Sequence, residues 1–119
     1  MENNREISGL ETFPGKISDT VMEEIIRRVV EVAHPDRIIL FGSMLHGPVG
    51  PDSDVDLLVV KAGVPSRNEL AQAIYVNLIG VLFPVDVLVA TPEDLELHRN
   101  VEWSVLCRAV KEGREIYAA

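Results

Sequence analysis

Between Ile17 and His34 the apolar residues fall at positions 17, 21, 22, 25, 26, 29, 30 and 33, the stripe of an amphipathic helix with its 3.6-residue period. Ser18, Asp19 and Thr20 offer N-caps, Thr20 and Glu23 have capping-box spacing, and Pro35 stops the helix. Glu23/Arg27 and Glu24/Arg28 are spaced as i,i+4 ion pairs in the favourable order. The period then changes. Arg37 to Phe41 is a short apolar run broken by Gly42-Ser43, which predicts a buried strand. Met44-Leu45-His46 has room for one helical turn, and Val49 to Ser53 reads as a Gly/Pro/Asp loop. Asp54 to Val60 begins in alternation and ends as a continuous apolar run, a second strand. Ser66 and Glu69 are spaced as a capping box for a helix running to about Leu78, with Gly80 as its stop. Pro84 to Ala90 is a third strand, and Thr91-Pro92-Glu93-Asp94 is a helix start with proline at its first position. A last helix is expected from about Val101 to Lys111, ended by Gly113, with Arg114 to Tyr117 as a final strand.

Helices and strands in this alternation predict a single α/β layered domain over residues 17–119, preceded by a loosely held, mostly polar arm at 1–16. A chain of 119 residues can bury one core without staples. The one cysteine, Cys107, excludes an internal disulfide and a cysteine zinc site. No apolar run approaches the ~20 residues of a membrane span, and Met1 to Glu6 lacks a basic-then-apolar leader. A soluble, cytoplasmic protein with no membrane contact is expected. With 11 Lys+Arg against 19 Asp+Glu the net charge is −8, which disfavours direct nucleic-acid binding because phosphates demand clustered cations.

Three carboxylates stand out from this background. Asp54 and Asp56 open an otherwise apolar strand, and side chains at i and i+2 share a face about 6.5–7 Å apart. Asp86 interrupts Val85-Asp86-Val87-Leu88-Val89, a strand that reads as buried on both faces, where an isolated carboxylate needs a partner. No Lys or Arg lies between Arg37 and Lys61, so Asp52, Asp54 and Asp56 have no cation near in sequence. Carboxylates gathered without a base suit Mg²⁺. Gly42-Ser43, directly after a strand, lets the backbone turn sharply and approach a ligand, and the N–H groups of a following helical turn suit a phosphate. Acids beside a phosphate cradle point to a nucleoside triphosphate with Mg²⁺ and to phosphoryl or nucleotidyl transfer.

Each feature has a plainer reading when taken singly. Gly-Ser is usually only a turn, Asp-x-Asp is usually a solvated strand end, and Asp86 reads equally as an edge residue facing water. Together they are less ordinary. Gly-Ser, ten residues, then Asp-x-Asp arises by chance in roughly one chain of this length in several hundred.

The stretch Phe41-Gly42-Ser43-Met44-Leu45-His46-Gly47-Pro48-Val49-Gly50-Pro51-Asp52-Ser53-Asp54-Val55-Asp56-Leu57 resembles the signature of the minimal nucleotidyltransferases of the DNA polymerase β superfamily. Asp86 falls where that family places a third acid. The resemblance implies a small mixed sheet flanked by helices, with Asp54, Asp56 and Asp86 as catalytic and metal-binding residues. It also implies two Mg²⁺ ions, ATP as substrate, and Gly42 and Ser43 on the β/γ phosphates. Where many members have Ala-Arg, this chain has Leu45-His46, which replaces a permanent cation by a side chain mostly neutral at pH 7.

Small single-domain members of that family commonly work beside a HEPN-type toxin ribonuclease, some as antitoxins that attach AMP to a toxin tyrosine. The resemblance therefore implies a HEPN-type partner, which an acidic protein suits if the ribonuclease is basic, and leaves a homo-oligomer open. Two rivals are a binding-only antitoxin with weak or no catalysis, for which His46 is the best sign, and a transferase acting on a small molecule such as an aminoglycoside. Trp103, Leu106 and Cys107 read as core or interface on the last helix, Tyr75 and Tyr117 as packing or partner residues, and Lys61 as a snorkelling surface lysine.

Overall fold

A computed structural model describes residues 18–42 and 54–119. The elements follow in the order α1 (Asp19–Ala33), β1 (Arg37–Phe41), β2 (Val55–Val60), α2 (Arg67–Asn77), β3 (Val85–Ala90), α3 (Pro92–Leu97), α4 (Val105–Glu112) and β4 (Arg114–Ala118). The strands form one four-stranded sheet in the order β3-β2-β1-β4. β1 runs antiparallel to both β2 and β4, whereas β2 and β3 are parallel and joined through α2. This is the expected single α/β domain, a small mixed sheet flanked by helices. No helix among the described residues is long and apolar enough to cross a membrane.

The helices cover both faces of the sheet. On one face Met22, Ile25 and Val29 of α1 and Ile74 of α2 pack against Ile38, Leu40, Leu57 and Val59. On the other, Leu95 of α3 and Leu106 and Ala109 of α4 pack against Ile39, Leu58, Val60 and Ala90. Two covered faces explain why β2 ends as an unbroken apolar run rather than an alternating one.

Local signals act where the sequence placed them, with some exchanges. Ser18, not Thr20, caps α1, its Oγ accepting from the Val21 N–H at 3.2 Å. Arg27 pairs with Glu24 and Glu31 rather than Glu23, and the expected Glu24–Arg28 pair forms at 2.6 Å. Ser66 caps α2 by accepting from the Glu69 N–H. Lys61 donates to the His34 carbonyl at 2.9 Å, a cation at the end of α1 where the helix dipole favours one. Tyr75 packs α2 on the sheet edge, its hydroxyl accepting from the Val87 N–H at 2.8 Å.

Two expectations are corrected. The last helix begins at Val105, four residues later than about Val101, because Ser104 is its cap and accepts from the Leu106 N–H. Val101 continues the apolar period but belongs to the preceding turns, and Trp103 is 83% exposed rather than set on the helix. β3 is an edge strand, not one buried on both faces; Asp86 is exposed and Val85, Val87 and Leu88 are half-buried. Water reaches Asp86, so burial does not oblige it to find a partner.

The start of α3 is tied to the start of α2. Asp94 closes a capping box with Thr91 and takes a two-point contact from Arg67, at 2.6 and 2.9 Å. The Arg67 guanidinium, followed by the Thr91 backbone N–H, holds the Asp94 carboxyl at about 2. A lowered carboxyl value contributes stability above the ordinary carboxylate range, and that contribution is lost as pH falls from about 4 towards 2. Asp94→Ala is expected to lower unfolding free energy by about 1 kcal/mol at pH 7. In urea titrations the gap between wild type and variant should narrow below about pH 4; a gap constant down to pH 2 would contradict this assignment.

Candidate active site

The site is built by register. β1 ends at the edge of the sheet where β2 and β3 begin, and the pairs Phe41↔Asp56 and Asp56↔Asp86 set these three residues in one row across three strands. In-register neighbours share a face, and Asp54, two residues before Asp56, falls on that face as well. Along β2 this face therefore runs Asp54, Asp56, Leu58, Val60. Leu58 and Val60 lie in the layer under α3 and α4, and the two acids continue the row beyond it. Adjacent strands lie about 4.8 Å apart, so Asp86 is a close lateral neighbour of Asp56.

Asp56 is the centre of the group. Its carboxyl is pushed above the ordinary aspartate value, first by partial burial, then by the charge of Asp86, then by that of Asp54. The three carboxylates thus interact electrostatically. Among the described residues, no cation or hydrogen-bond donor pairs with any of them. Phe41, the antiparallel neighbour of Asp56, is a residue that sequence reasoning treated only as the end of a strand; its place beside the carboxylate is visible only in the register.

Gly42 faces the same carboxylate. Its φ of +87° lies in the left-handed region, and a β-carbon there would overlap Asp56 Oδ2 and stand 3.1 Å from the carboxyl carbon. Glycine is required at this position both for the turn and for the approach of Asp56. The structure therefore brings Gly42, Asp54, Asp56 and Asp86 to one end of the sheet. Ser43 lies outside the described residues, as do Asp52 and His46.

The donor set fits a divalent cation. Hard carboxylate oxygens stand together with no protein cation to neutralise them, and Mg²⁺ is commonly held by one or two carboxylates together with substrate phosphates. Among the described residues, no group of three or more His, Cys, Asp or Glu side chains is placed to hold a metal ion without substrate phosphates or further ligands. Strand register holds the acids near one another against their repulsion, and a bound cation would relieve it.

A sequence profile for the nucleotidyltransferase domain matches residues 22–116. The chain belongs to the nucleotidyltransferase domain family. The match runs from within α1 into β4 and takes in β1, β2, β3 and the acid row. A search of curated proteins gave no match. In this nucleotidyltransferase domain the Gly42 turn and the acids of β2 and β3 are positioned by one register, so a shift in any of the three strands would disperse them.

A carboxyl whose value is raised by folding opposes folding when charged, so its cost is absent below the unfolded value and grows as pH rises through the folded one. Asp56→Asn is therefore expected to raise the urea midpoint at pH 7, with the gain vanishing towards pH 3. Mg²⁺ should raise the midpoint of the wild type and leave that of Asp56→Asn unchanged; equal Mg²⁺ effects on both would contradict a shared cation site. Gly42→Ala should destabilise by about 1–3 kcal/mol, measured by the same titration, because strain and overlap act together.

Proposed function

We propose that this nucleotidyltransferase domain transfers AMP from ATP to a hydroxyl, that the acceptor is a tyrosine of a HEPN-type toxin ribonuclease, and that the chain acts as the antitoxin of the pair. The observation that carries the reading is the row Asp56–Asp86, with Asp54 beside it, facing the Gly42 turn in a chain of this family.

In this reading Asp54 and Asp56 hold divalent magnesium together with the triphosphate. The metal supplies charge neutralisation at the phosphates and lowers the pKa of the acceptor hydroxyl. Gly42 lets the backbone come close to the β/γ phosphates, and Ser43 adds a hydroxyl donor. Asp86 orients the acceptor hydroxyl and takes its proton. The acceptor oxygen attacks the α-phosphorus in line, the new O–P bond forms as the bond to the bridging oxygen breaks, and pyrophosphate leaves. The chain contributes positioning and electrostatics without a covalent intermediate. Exposure of Asp86 on an edge strand favours an acceptor as large as a protein side chain, because the residue that handles the hydroxyl can be approached from solvent. The net charge of −8 favours a basic partner.

The test is incubation with ATP labelled at the α-phosphate, Mg²⁺, and the product of the neighbouring gene. Label is expected on a tyrosine of that protein, is expected to disappear with EDTA, and should fall by roughly three orders of magnitude in Asp56→Asn. Label on an aminoglycoside in place of the protein would overturn the acceptor assignment. Equal labelling by Asp56→Asn would overturn the site.

A further inference from the structure

β3 pairs with β2 on one side, and among the described residues no strand pairs with its outer edge. We propose that Tyr75 is a positioning residue for the cation site, holding Asp86 beside Asp56 through the backbone of β3. The inference rests on the reading of these acids as a cation site and names a residue that keeps the site together.

The directions of the backbone groups carry it. The Val55 N–H donates to the Pro84 carbonyl and the Lys61 N–H to the Ala90 carbonyl, each at 3.0 Å. Alternate residues of a strand point the same way, so the even-numbered residues of β3, Asp86 among them, turn their carbonyls towards β2. Within a trans peptide unit the N–H points opposite to the C=O, which aims the Val87 N–H off the sheet. There it donates to the Tyr75 hydroxyl at 2.8 Å. The peptide unit that joins Asp86 to Val87 is thus held by β2 on one side and by Tyr75 on the other.

This hold opposes a repulsion. Like charges in register on neighbouring strands repel, and Asp56 and Asp86 are such a pair. The charge of Asp86 is among the causes that raise the Asp56 carboxyl, so the two acids interact. An edge strand yields outwards under such a force, and the Tyr75 hydroxyl stands on that side. Tyr75 is itself anchored. It follows Ile74, which is fully buried in the core. Just beyond it, Arg28 of α1 donates to the carbonyls of Asn77 and Ile79 at 3.0 and 2.8 Å, and the Asn77 amide donates back to the Arg28 carbonyl at 2.8 Å. Support therefore runs from α1 through the end of α2 to the edge strand and Asp86. A site assembled in advance binds its cation more tightly than one that must first be drawn together.

The test is Mn²⁺ titration of the full chain, with free Mn²⁺ read by electron paramagnetic resonance, in the wild type, Tyr75→Phe and Asp94→Ala. Tyr75→Phe keeps the ring and removes the acceptor of the Val87 N–H. Asp94→Ala removes hydrogen bonds beyond the opposite end of β3 and controls for lost stability alone. Both variants should fold, with melting temperatures a few degrees below that of the wild type. The Mn²⁺ dissociation constant is expected to rise about fivefold in Tyr75→Phe, the change that one net hydrogen bond supplies, and to keep its wild-type value in Asp94→Ala. An unchanged or lowered constant in Tyr75→Phe, or an equal rise in both variants, would overturn the role of Tyr75 and leave the cation site standing. Absence of saturable Mn²⁺ binding by the wild type would overturn the site and this role with it.

Discussion

The structure depends on a repulsion held in place by hydrogen bonds. Pairing of β2 with β3 puts Asp56 beside Asp86, and the turn after β1 closes against the same carboxylate at Gly42. Nothing in the described chain neutralises the charges so assembled. The favourable interactions lie elsewhere, in the backbone ladder and in the two apolar layers that Leu57 and Leu58 enter from opposite sides of the same strand. A buried apolar side chain of this size contributes about 1.5–3 kcal/mol. A few such residues suffice to hold a partly solvated group of acids in place. The arrangement is one in which stability is given up at the proposed cation site.

The two ends of the sheet are thereby made different. At one end the face over β2 and β3 carries acids and is half-open to water. Two residues along the same strands it becomes apolar and disappears under α3 and α4. The alternation of a single strand encodes both: Asp54 and Asp56 precede Leu58 and Val60 on one side, while Val55, Leu57 and Val59 fill the core on the other.

Much of this was legible in the chain, and the reasons differ from element to element. β1 coincides with Arg37–Phe41 as expected, because an apolar run bounded by proline and glycine leaves little choice. α4 was misplaced at its start because Val101 continues the apolar period, whereas the cap at Ser104 is a local hydrogen bond that periodicity does not register. The pairing of Asp54 with Asp56 on one face follows from strand geometry alone. That Asp86 joins them was carried by family resemblance, and of its two readings, buried on both faces or at an edge facing water, the second holds; pattern alone left them open because position within a sheet is set by pairing between distant segments. The closeness of Gly42 to Asp56 depends on the register of β1 against β2, which no local pattern contains. Ser43 lies outside the described residues.

The central proposal is that Asp54, Asp56 and Asp86 share one cation-binding site. The most direct measurement is Mn²⁺ titration of the chain labelled with ¹³C at the aspartate side-chain carboxyls, followed by NMR. The account predicts that these three resonances broaden together at the same Mn²⁺ concentration, ahead of other aspartates such as Asp19 and Asp36, and that Asp56→Asn abolishes the broadening at the other two. Broadening of one alone, or of all aspartates alike, would contradict it.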